Sequence, residues 1–112
     1  MRRGEIWWVA LGEPRGSEPG YRRPVVVLQI DRFNESLIQT VVVATITSNV
    51  RLARSPGNVA CGRRDSGLSK PSVVNVSQVA TIDKQRLLER VGRLPARLMA
   101  EVEDGVRLVL GL

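Results

Sequence analysis

Apolar positions along this chain gather into short runs rich in β-branched residues, separated by segments crowded with Gly, Pro and charge. Residues 5–11 (EIWWVAL) combine aromatic and β-branched side chains and predict a first strand. Next, GEPRGSEPGYRR packs three Gly and two Pro into twelve residues, which makes a loop. It is long for a hairpin connection, and long ordered loops in small domains are often functional. Residues 23–30 form the second predicted strand, with Pro24 near its start, where a missing N–H is tolerated. DRFNESL reads as one helical turn or a loose turn. Residues 39–47 (QTVVVATIT) predict a third strand, central because its apolar run is continuous.

The polar, basic stretch 48–55 precedes PGNVACG, a turn leading into a short edge strand. RRDSGLSKPS is a second long loop. Residues 72–82 (SVVNVSQVATI) alternate like one strand with a break. Asp83 is placed to cap a short helix over KQRLLER, and residues 91–94 predict a last strand. Pro95 suits the first position of a C-terminal helix. There Leu98, Val102, Val106 and Val109 recur on one face, as core or interface packing. Together these elements predict one domain over residues 1–112. Its class is mainly β with a C-terminal helix: five or six antiparallel strands in a small curved barrel or sheet, plus short helices.

Composition narrows the function. Apolar content is 43%, normal for a globular chain. No run approaches the roughly 18 apolar residues of a membrane helix. The opening MRRGEIWWVA is interrupted by Glu5 and too short for a secretory signal. The single Cys61 cannot form an internal disulfide, so a cytoplasmic location is the expectation; it reads as an inert, half-buried strand residue. The net charge is +6, almost all the basic residues are Arg, and the excess is uneven. Residues 51–70 carry +4 and 83–97 carry +3, against −2 over 101–112. Arginine's planar fork grips phosphate bidentately, so a basic face for a polyanion is one reading. An Arg-rich surface with no such partner is the other.

The chain has no histidine. That removes His-based acid–base pairs, Ser-His-Asp and Cys-His nucleophile systems, and His-ligated metals. The carboxylates gather only in EVED, on the outer face of a helix, and no phosphate-binding P-loop motif occurs. No metal or nucleotide cofactor is expected. What remains is arginine, hydroxyls, amides and isolated Glu. An Arg beside a Thr or Ser hydroxyl can stabilise the charge of a phosphorane. RNA supplies its own nucleophile in the 2′-OH, and its cleavage that way leaves a 2′,3′-cyclic phosphate and a 5′-OH.

GSEPGYRRPVVVLQID, then VVVATITSN, then KPSVVNVSQVATIDKQRL resemble the MazF/PemK toxins of type II toxin–antitoxin modules, as does the opening RRGEIWWVALGEPRGSE. The resemblance spans nearly the whole chain, with its blocks in order. It implies a ribosome-independent, single-strand-specific endoribonuclease. It also implies an SH3-like barrel, a homodimer, and neutralisation by a cognate antitoxin. Carried over by position, the catalytic arginine falls on Arg23 and the catalytic threonine on Thr47, with Glu18 of the GSE loop at the RNA groove. Ser77 and Gln78 match the base-contacting segment. Ser17, Arg22, Gln29 and Ser48 are further candidate RNA contacts, Arg22 as a phosphate contact. Ile30 stands where many relatives have Asn.

Ordinary alternatives stand beside each assignment. Arg23 can be a strand-end arginine reaching solvent, and Thr47 a plain strand residue. Glu18 can pair with Arg15 or Arg22. Trp7 and Trp8 face opposite sides of a strand, in core or interface, although either ring could stack on a base. Arg51, Arg54, Arg63 and Arg64 suit sequence-independent phosphate attraction. Two other functions fit the same fold: a gyrase-poison-like toxin, and a barrel that binds RNA without cutting it.

Overall fold

The computed structural model describes residues 1–12, 16 and 21–112. Six strands form one antiparallel sheet: β1 (Glu5–Ala10), β2 (Arg22–Val27), β3 (Thr40–Thr47), β4 (Val59–Cys61), β5 (Ser72–Asp83) and β6 (Leu87–Arg93). Their order across the sheet is β4-β5-β3-β2-β1-β6. The sheet curls into a half-barrel. Among the described residues its two outer strands, β4 and β6, do not pair with each other, so the barrel stays open. Two one-turn helices, α1 (Asp31–Asn34) and α2 (Arg63–Ser66), sit in connections, and α3 (Ala96–Leu110) ends the chain. No helix among the described residues is long and apolar enough to cross a membrane.

The continuous Val runs of β2 and β3 lie at the centre, because only a strand covered on both faces can be apolar on both. Alternation sends Val26, Ala44 and Ile46 to a core capped by Leu98, Met99 and Val102 of α3. Val25, Val27, Val41 and Val43 go to a second core with Val9 and Ile82. The two tryptophans divide as their adjacency predicts. Trp8 packs on the α3 side and Trp7 on the other, both partly buried. Trp7 Nε1 donates to Glu5 Oε1 at 3.2 Å. Burial works to raise the Glu5 pKa, but the Arg2 N–H, the Trp7 indole and Arg90 together hold it below its ordinary value of 4.5.

Several sequence expectations are corrected. KQRLLER is not a helix: residues 84–86 make a single 3-10 turn and β6 begins at Leu87. Its two leucines are adjacent, without helical spacing, and the open edge of β1 offers backbone partners instead. Asp83 makes no capping bond and ends β5 opposite Thr40. The second strand ends at Val27, three residues early, and the RRDS segment, read as loop, is α2. Pro95 is the N-cap of α3, one position before the first helical residue. On α3, Leu98 and Val102 are buried as expected, joined by Met99 and Gly105, whereas Val109 is 43% exposed. Cys61 is fully buried in the α3-side core, and burial first, then Asp65, pushes its thiol up to about 11.

The break expected in β5 is a bulge. The pairing with β3 jumps from Ala44 opposite Val79 to Thr45 opposite Asn75, leaving residues 76–78 as extra length. Asn58 stitches the bulge to the neighbouring turn: its Oδ1 accepts from Val76 N at 2.9 Å and its Nδ2 donates to Leu52 O at 2.9 Å. α3 packs on the same turn through two glycines. A Cβ added at Gly105 would lie 2.1 Å from the carbonyl oxygen of Gly57. Helix propensity alone favours Ala over Gly by about 1 kcal/mol, so here packing reverses the sign. Gly105→Ala is therefore expected to lose about 3 kcal/mol of stability. Its melting temperature, followed by circular dichroism, should fall by roughly 10–15 °C; an unchanged melt would refute the close contact.

Candidate functional site

The opening of β2 is where the basic side chains meet the rigid part of the fold. Leu11 N donates to Tyr21 O at 2.7 Å, and Tyr21 N donates back to Gly12 O, closing the neck of the loop that precedes β2. Tyr21 takes a left-handed backbone (φ 57°), uncommon for a bulky side chain, to make that turn. Immediately beyond it, Ala10 pairs with Arg22, Val9 with Arg23 and Trp8 with Pro24. The two arginines therefore stand side by side at the start of a paired strand.

β2 and β3 pair Val27 with Val43, Val26 with Ala44 and Val25 with Thr45. Carried two residues further, the same register brings Arg23 level with Thr47, on the face that Val25 and Thr45 share. Arg23 is exposed and Thr47 half-buried. Thr47 Oγ1 accepts the Asn49 N–H at 3.1 Å, which leaves its own hydrogen free to donate. Asn49 Oδ1 in turn accepts from Arg51 N at 3.3 Å and caps the 3-10 turn Val50–Arg54. The threonine is thereby held between a strand and a capped turn.

Two grooves flank this end of the sheet. One, about 310 Å³, is lined by Trp8, Arg22, Arg23, Pro24, Ile46, Ser48, Leu68–Lys70 and Ser72. Arg22, Arg23 and Ser48, three of the expected site residues, meet there. The other, about 530 Å³, runs along β5 and holds Thr45, Gln78 and Arg86 among its walls. Ser77 is exposed on the bulge, where its Oγ donates to Asn75 Oδ1 at 2.8 Å. Ser77 and Gln78 thus sit beside Thr45, one strand away from β2. Ser17 and Glu18 lie outside the described residues. Arg51, Arg54, Arg63 and Arg64 are all exposed, as a diffuse phosphate-attracting surface requires.

Gln29 lies inside the fold and lines neither groove. It is buried, at 8% exposure. Its Nε2 donates to Asn34 Oδ1 at 3.0 Å and to Thr40 O at 3.2 Å, and its Oε1 accepts from Val42 N at 3.3 Å. Asn34 Nδ2 returns a bond to Gln29 O at 2.9 Å. The Gln29 amide is engaged inside the chain. Sequence reasoning also missed the partners of Arg22, whose guanidinium lies 4.9 Å from the Trp8 ring centroid and 3.1 Å from Glu89. The signal was weak: a lone Glu among the basic residues of 83–97.

The family model of PemK-like, MazF-like toxins of type II toxin–antitoxin systems matches residues 2–110. The chain belongs to that family. It is 50% identical over 112 residues to Endoribonuclease MazF6 of Mycobacterium tuberculosis, covering all of this chain and 98% of the relative. Its fold matches MazF from Deinococcus radiodurans with a TM-score of 0.83 at 25% identity, over 100% and 97% of the two chains. A mycobacterial endoribonuclease in complex with its cognate antitoxin gives a TM-score of 0.83 at 23% identity, over 100% and 96%. The six-stranded curled sheet with a terminal helix is thus the toxin family's fold.

Within this fold the Gln29 cluster is structural, and that can be checked directly. Gln29→Leu strands the Thr40 carbonyl, the Val42 N–H and Asn34, and should cost about 2–3 kcal/mol. Urea unfolding measures the loss. An unshifted midpoint would return Gln29 to the candidate RNA contacts.

Proposed function

We propose that this chain is the toxin of a type II toxin–antitoxin module that acts as a sequence-specific, ribosome-independent and metal-independent endoribonuclease on single-stranded RNA. The observation that supports this reading is the β2–β3 register, which pairs Val25 with Thr45 and, carried two residues further, sets Arg23 level with Thr47. The 50% identity to a protein named an endoribonuclease supports it along the whole chain. The working form is a cytoplasmic homodimer, and a cognate antitoxin silences it by covering the arginine-lined surface.

In this mechanism the 2′-OH of the nucleotide before the scissile bond attacks phosphorus. The P–O5′ bond breaks, and the O5′ takes up a proton. The products are a 2′,3′-cyclic phosphate and a 5′-OH. Arg23 neutralises the extra charge on the phosphorane and Thr47 donates its free hydroxyl hydrogen to a phosphoryl oxygen. A guanidinium is no general base; Glu18 takes that role, or positioning carries the step. Cys61 has no part, because its buried thiol stays protonated. Ser48, Ser77 and Gln78 contact the RNA chain around the scissile position, with Ser17 alongside Glu18.

Purified protein incubated with a long single-stranded RNA in EDTA should give discrete fragments ending in cyclic phosphate. Arg23→Ala should slow cleavage by about 10²–10³-fold, and Thr47→Ala by about 10²-fold. Thr47→Ser, which keeps the hydroxyl, should recover most of that loss. Intact RNA with folded wild-type protein would overturn the nuclease reading in favour of a toxin that acts on a protein target. RNA bound but uncut would leave only an RNA-binding module.

A further inference from the structure

Arg22 and Trp8 form a second feature of the basic groove, distinct from the Arg23–Thr47 pair. Trp8 on β1 is directly paired with Glu89 on β6, and Ala10, two residues on, pairs with Arg22 on β2. The Arg22 guanidinium reaches back across the sheet surface, lies over the indole at 4.9 Å, and meets Glu89 at 3.1 Å. Three strands thus bring an exposed guanidinium over an indole, with a carboxylate beside it. The groove beside it supplies Lys70 and the hydroxyls of Ser48 and Ser69, and no carboxylate lies among its described walls. The Arg22 and Glu89 side chains are 56% and 68% exposed, so their ion pair is weak and open to exchange.

We propose that Trp8 and Arg22 form a nucleotide subsite flanking the scissile position, in which a base of single-stranded RNA stacks on the guanidinium–indole platform and its phosphate displaces Glu89. The proposal rests on the ribonuclease reading. An arginine plane stacks well on bases, and its edge grips phosphate bidentately. Glu89 is the resting counter-ion: it holds the guanidinium over the ring and competes with the incoming phosphate. Trp8 and Arg22 are then substrate-binding contacts, and Glu89 is a positioning residue.

The test measures binding of single-stranded 2′-O-methyl RNA oligonucleotides, which lack the attacking hydroxyl, across a salt series. Glu89→Gln should tighten binding about fivefold and steepen the salt slope by about 0.7, one additional phosphate contact. In an Arg22→Gln background the same change should do nothing. Protein carrying Trp7→Phe, in which Trp8 is the one remaining indole, should show its fluorescence quenched as the oligonucleotide binds. The subsite is overturned by a Glu89→Gln change that leaves affinity unaltered. It is equally overturned by one that tightens binding equally with and without Arg22, as loss of a diffuse negative charge would, or by unquenched Trp8. Cleavage of long RNA by wild-type protein, run alongside, separates the two claims. Wild type that cuts RNA while Glu89→Gln is inert loses only the subsite; wild type that neither binds nor cuts loses both.

Discussion

The hydrogen-bonded knot of Gln29 is the constraint on which the geometry of the site depends. Valines cover both faces of β2 and much of β3. Such a pair has little reason to prefer one register, since a one-residue slip exchanges Val for Val. Gln29 removes the degeneracy. Its amide reaches Val42 N and Thr40 O, and its own N–H joins that of Leu28 on Val42 O. A slip of β2 against β3 would strand these groups in a buried place, at a cost no valine could offset. The register so fixed at one end of the strands is read out at the other, where Arg23 and Thr47 come level.

The remaining devices hold that far end still. The Tyr21–Gly12 neck fixes where β2 begins, and Pro24 presets the backbone beside Arg23. The Asn49 cap orients the turn into which the Thr47 hydroxyl is tied. On the other flank, the β5 bulge exposes Ser77 and sets Gln78 in the groove beside Thr45, and Asn58 pins the bulge to the turn on which α3 packs. Helix, bulge and β4 therefore act as one buttress behind the site. Exposed arginines lie on the polar connections around it, where they draw in a polyanion without occupying the core.

How far the sequence could be read follows from which forces are local. The strands of the Val runs, the break in β5 and the inward stripe of α3 through Val102 were legible, because burial imposes periodicity on the residues themselves. The fate of KQRLLER was not. Its local composition suits a helix, and only the unpaired edge of β1, more than seventy residues away in sequence, makes it a strand. The burial of Gln29 was hidden for a related reason: a polar residue at a strand end looks the same whether it faces RNA or a buried carbonyl two elements on. Arg23 and Thr47 became candidates through the family resemblance; the β2–β3 register is what the chain's own packing adds to it. The Trp8–Arg22–Glu89 layer was invisible, since it joins three strands that the sequence does not announce as neighbours.

In the proposed mechanism Arg23 and Thr47 act as one unit because a single register aligns them. The most direct measurement is a double-mutant cycle on the single-turnover cleavage rate, using Arg23→Ala, Thr47→Ala and the double variant. Residues that serve one transition state together are grossly non-additive. The double variant should therefore be little slower than Arg23→Ala alone. A double variant slowed by the full product of the two single effects would mean that the residues contribute independently, and the register would lose its role in the chemistry.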